Sequence, residues 1–95
     1  MTIRTDEADN ADTCKVWAYT ELMPPAKWND YRGGRVWQWL IGYGVEIRVR
    51  QQDPGPAYGV FYEPGFGRHV VNIHDTIHRS TVGGVTVWTV SRAAA

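Results

Sequence analysis

Two consecutive glycines, Gly83 and Gly84, stand between Thr81-Val82 and Val85-Thr86. A two-residue hairpin turn of the primed type needs positive φ at its centre, which glycine adopts without steric cost, and the flanking β-branched residues favour strands. The pair therefore predicts a hairpin tip and fixes a register on both sides of it. Counting outward sets Arg79 opposite Trp88, Ile77 opposite Val90 and Asp75 opposite Arg92. These are a cation over an aromatic ring, an apolar pair and a salt pair. A slip of one residue would send every side chain to the other face, so the agreement carries weight.

The same counting extends upstream. With Gly42-Tyr43-Gly44 as a three-residue loop, Ile41 faces Val45, Trp39 faces Ile47 and Trp37 faces Val49, while Gln38 faces Arg48 behind them. Closing the turn-rich segment Asp53-Pro54-Gly55-Pro56 with Arg50 opposite Ala57 sets Val49 with Tyr58, Ile47 with Val60 and Val45 with Tyr62. The loop Pro64-Gly65-Phe66-Gly67 then sets Glu63 opposite Arg68 and Val60 opposite Val71. The expectation from Arg35 onward is a five-strand antiparallel meander. Ahead of it, Cys14 to Tyr19 reads as a short N-terminal strand. Pro24 and Pro25 followed by Ala26 to Arg32 and a Gly33-Gly34 stop read as one short helix over about residues 25 to 32, with Trp28 and Tyr31 on its packing face. The expected class is α+β, mainly β. The meander is curled into a small barrel or packed on the helix, because an open edge invites aggregation.

A chain of 95 residues has room for one core. Five Trp, five Tyr and two Phe supply its bulk. Residues 1 to 13 hold Asp6, Glu7, Asp9 and Asp12 against Arg4, a net of −3, and read as a mobile acidic tail. Residues 14 to 92 form the single β-rich domain, with nine bases against six acids, and Ala93 to Ala95 are a frayed end. The whole chain is neutral, which removes the generic electrostatic argument for nucleic acid. The single Cys14 forms no internal disulfide, and neither a leader nor a membrane-spanning apolar run is recognisable, so the expected location is cytoplasmic with no membrane contact.

Residue types that carry chemistry are sparse. His69, His74, Asp75 and His78 are the one group with metal-ligand character, yet on a strand His74 and His78 stand roughly 13 Å apart, too far for one ion. Glu46 and Glu63 fall on strands without a flanking cleft signal, and the glycine-rich loops lack the strand-to-helix setting of a phosphate site. No nucleophile elbow is present. The sequence thus points to no catalytic residue, no metal and no cofactor.

What remains is the outer face of the meander. There the register gathers Glu46, Arg48 and Arg50 beside Phe61 and His74, over the small residues Ala57 and Gly59. Arginine with an exposed aromatic is the composition of an interface centre. The structural reading of the same residues is that Phe61 and Val70 are core. The functional expectation is a non-enzymatic binding protein that docks on a protein partner, of the accessory or inhibitor type that phages and mobile elements encode. The alternative is a single-stranded nucleic-acid or nucleotide binder that uses Arg48, Arg50, Phe61 and other rings.

Overall fold

Gly83 and Gly84 do form a hairpin tip, with φ of 58° and 82°. The strands they join are β5 (Thr76–Val82) and β6 (Val85–Ser91), paired Val82 to Val85, Arg79 to Trp88 and Ile77 to Val90. The computed structural model describes residues 10 to 52, 54 to 63 and 67 to 93. Within them, β1 (Asn10–Lys15) lies antiparallel on the other edge of β5, giving a three-stranded sheet in the order β1-β5-β6. A second antiparallel sheet has the order β2-β3-β4, built from Ile47–Arg50, Tyr58–Tyr62 and Arg68–Val71. The chain is therefore α+β and mainly β. The six strands of the described residues divide into two sheets of three with no closed barrel, and the meander is interrupted between β4 and β5.

The expected strand ahead of Gly42 is instead the helix α1 (Arg35–Ile41). Its sequence, RVWQWLI, alternates well enough for a strand, but Val36 and Leu40 are one helical turn apart and both are fully buried. Burying that pair overrides the β preference of the tryptophans, as tertiary packing commonly does for a short segment. Conversely, the helix expected over residues 25 to 32 shrinks to one 3-10 turn, Lys27–Asn29. Asn29 Oδ1 accepts the Tyr31 N–H at 3.0 Å, Asp30 takes the left-handed conformation (φ 61°), and the Ala26 N–H donates to the Tyr31 carbonyl at 2.9 Å. Asn and Asp side chains favour such local turns over helix. A second 3-10 turn, Tyr19–Leu22, carries Leu22 into the core.

Strand β1 starts at Asn10, inside the segment read as a tail, because residues 10 to 13 find ladder partners on β5. Residues 1 to 9 of that tail, Asp53, the loop residues Pro64 to Phe66, and residues 94 and 95 lie outside the described residues. The second sheet differs from its expected register by one residue at both junctions: Arg50 faces Tyr58, and Tyr62 faces Arg68. That shift brings Phe61 between Ile47 and His69 and puts its ring in the core with Val16, Leu22, Val36, Leu40, Ile47, Val71, Ile77 and Trp88.

Asp75 ties the ends of the two sheets together. Its buried carboxylate accepts the N–H groups of Asn72 (2.9 Å) and Ala93 (3.1 Å) and pairs with Arg92, which also donates to the Val70 carbonyl. Burial alone would push this carboxyl up, but those donors outweigh it and hold its pKa below the ordinary carboxylate value. Glu21, held by Arg35, and Asp12, held by Trp39 and Tyr43, are lowered too. Groups depressed in the folded state contribute stability that is full above their unfolded pKa and is lost as pH falls through the folded one. The thermal midpoint is therefore expected to decline as pH is lowered below about 4. Asp75→Asn should lower the midpoint at neutral pH and flatten that acid limb; an unchanged limb would show that Asp75 is not a source of it.

Candidate functional site

Proline lacks an N–H and fixes φ, so Pro24-Pro25 holds the chain extended outside either ladder. Beyond it the Lys27–Asn29 turn lifts Trp28 into solvent, where 84% of the residue is exposed. Tyr31 closes the other side, its hydroxyl donating to the Thr20 carbonyl at 3.0 Å. Met23, Pro24, Pro25, Trp28 and Tyr31 line a groove of about 700 Å³ whose walls are mainly apolar. A tryptophan this exposed gains nothing for the fold, and its neighbours are stiff.

The groove runs on toward the free edge of β2. There Met23 and Pro24 border a second depression, lined by Glu46, Ile47, Arg48, Val49 and Arg50. The structure thus keeps Glu46, Arg48 and Arg50 together as expected and sets them beside an aromatic wall, Trp28 and Tyr31, expected to pack inward. Arg48 and Glu46 approach to 3.6 Å, both well exposed, a pair too solvated to hold either side chain firmly. Lys27, Arg32 and Arg50 form no ion pair with any described residue, although Asp30 lies close in sequence to the first two and Glu46 to the third. The rim is therefore basic.

The other two expected site residues lie elsewhere. Phe61 has no exposed surface; its ring stacks on His69 at 4.9 Å and meets Trp88 edge-on at 5.7 Å. His74 sits in the turn before β5 with φ 76°, gives its N–H to the Val16 carbonyl, and lies edge-on to Trp17 at 6.1 Å. Lys15 stands over the same Trp17 ring at 4.2 Å, so His74 belongs to a separate exposed patch. The missed wall of Trp28 and Tyr31 had one legible signal, the Asn29-Asp30 turn pair directly after Trp28.

A second concavity, of about 300 Å³, opens between the sheets. It is lined by Tyr43, Gly44 and Val45 after α1, Glu63 after β3, and Arg79, Thr86 and Trp88. The Arg79 guanidinium lies 4.0 Å from the Tyr43 ring centre and 5.8 Å from that of Trp88. The cation–aromatic pairing expected for Arg79 and Trp88 is present, with Tyr43 the nearer ring. Tyr43 is fixed in turn. Its hydroxyl and the Trp39 Nε1–H both donate to Asp12 Oδ2, at 3.0 and 2.8 Å, which lowers the Asp12 carboxyl and raises the Tyr43 phenol. Nε and Nη1 of Arg79 are nevertheless buried without a hydrogen-bond partner. A buried donor left unbonded costs about 1 to 3 kcal/mol and more when charged, and ring faces offset only about 0.5 to 2 kcal/mol.

No protein-family model, no curated protein and no solved structure matches this chain. Among the described residues no helix is long and apolar enough to cross a membrane, and no three His, Cys, Asp or Glu side chains gather closely enough to hold a metal ion. Function has to be argued from the site alone.

Proposed function

We propose that this protein is a non-enzymatic binding protein, an accessory or inhibitor in type, that docks on a protein partner through the Trp28 groove. The observation that carries the reading is Trp28 itself, 84% exposed on a turn braced by Pro24-Pro25 and the Tyr31 hydroxyl. Tryptophan is the residue most enriched among interface hot spots, and a wall that is already rigid loses little entropy on binding. The basic rim of Lys27, Arg32, Arg48 and Arg50 selects the partner's charge. The occupant is an extended segment with apolar side chains for the groove and Asp or Glu on either side of them.

Arrayed peptides with apolar centres and either acidic or basic flanks test this directly. The acidic set is expected to bind, and Trp28→Ala to weaken binding by about 2 kcal/mol, roughly thirtyfold in Kd, with the thermal midpoint almost unchanged. Arg48→Ala with Arg50→Ala should mainly slow association and reduce its salt dependence. An oligonucleotide of unstructured sequence serves as the contrasting ligand. If it binds with a steep salt dependence while every peptide fails, the groove is a base-stacking platform and the protein-docking reading is wrong.

A further inference from the structure

The cleft between the sheets is independent of the Trp28 groove, and its charges call for a different ligand. Two side chains of opposite sign line it without pairing to each other. Glu63 Oε1 is 3.0 Å from His69 Nε2, and Oε2 has no hydrogen-bond partner among the described residues. The Arg79 side chain hydrogen-bonds to no described residue; its Nε and Nη1 are buried, and Nη2 is the one guanidinium nitrogen that is not both buried and unbonded. Asp12 holds Tyr43 from behind, and the aromatic walls stay in place through edge-on contacts among Trp39, Tyr43 and Trp88, with ring centres 5.5 to 5.9 Å apart.

A simple anion would meet Arg79 but also the Glu63 carboxylate, and a simple cation would meet the reverse. A molecule with one carboxylate and one ammonium group satisfies both walls. We infer that the cleft binds a small zwitterion of the α-amino-acid class, its carboxylate on Arg79, its ammonium on Glu63 and an apolar side chain against Tyr43, Val45 and Trp88. The volume, about 300 Å³, is at the lower end for ligand sites and suits a molecule of that size. The terminus of a peptide presents one of the two charges and not the other, so the occupant is the free amino acid.

Phenylalanine, 3-phenylpropanoate and phenethylamine share a ring and differ only in their charged groups; with leucine added, they form the probe set for titration calorimetry and amide chemical-shift mapping at neutral pH. Phenylalanine or leucine is expected to bind, with shifts centred on Tyr43, Glu63 and Trp88, and each single-charge analogue to bind at least about tenfold more weakly. Arg79→Met and Glu63→Gln should each weaken amino-acid binding by a similar factor. The Arg79→Met midpoint should not fall, since two buried unbonded N–H groups are removed; Arg79→Lys serves as the variant for binding if it does. No binding of either amino acid at millimolar concentration would overturn the inference. So would equal binding of 3-phenylpropanoate or of phenethylamine, or amino-acid binding that neither variant disturbs.

Discussion

Phe61→Ala is expected to remove about 3 to 5 kcal/mol of stability, the usual cost of deleting a fully buried phenyl ring. The ring has no exposed surface and is packed by Ile47, His69 and Trp88. A domain of this size holds about 5 to 15 kcal/mol in all, so the variant should lose most of its urea midpoint and be partly unfolded near body temperature. Any loss of partner binding would then follow the folded fraction and vanish under stabilising conditions, unlike the loss caused by Trp28→Ala. A destabilisation under about 1 kcal/mol would place Phe61 outside the core. The observed register of the second sheet could not survive that result.

Gly34→Ala should be at least as damaging, for a different reason. A Cβ built on Gly34 would stand 2.2 Å from the Glu21 carbonyl oxygen, 2.3 Å from its carbon and 2.5 Å from its Cα. All three are backbone atoms, so no rotamer change relieves the clash. Relief requires the start of α1 to move away from the Tyr19–Leu22 turn. That movement strains the Gly34 N–H to Met23 carbonyl bond (2.9 Å) and the Arg35–Glu21 ion pair (3.0 Å). The cost should lie at or above the top of the range of about 1 to 3 kcal/mol for ordinary overpacking. Gly59→Ala is the internal comparison, since its Cβ meets only side-chain ends, Ile47 Cδ1 at 2.8 Å and Leu22 Cδ1 at 3.0 Å. A Gly34→Ala midpoint above that of Gly59→Ala would contradict the close approach described here.

The hairpin of β5 and β6 was legible because its turn is two glycines long, and a two-residue loop admits one register. The loops on either side of β3 are longer, and a longer loop can absorb one residue more or less, which suffices to carry Phe61 from the outer face to the inner. Residues 35 to 41 satisfy both periodicities at once: Trp37, Trp39 and Ile41 alternate, while Val36 and Leu40 are a turn apart. What chooses between them is the floor that Leu22 and Ile47 present to Val36 and Leu40, and no local pattern records it. The candidate site divides the same way. Glu46, Arg48 and Arg50 follow from one strand, whereas the Trp28 wall depended on reading Asn29-Asp30 as a turn. The pairing of Arg79 with Trp88 was visible, but Tyr43 and Asp12 reach that cation from distant parts of the chain.

The placement of β1 also bears on the order in which the molecule assembles. Asn10 pairs with Thr81 and Lys15 with Thr76, partners 71 and 61 positions away. The second sheet needs only the loops between its own neighbours, and β5 with β6 needs only two glycines. Closing so long a loop defers the entropic cost of the last contacts and makes such pairings slow. On the ribosome, β1 must therefore wait, with Cys14 and Val16 uncovered, until β5 has followed it. The first sheet can close only after every strand of the second has been made.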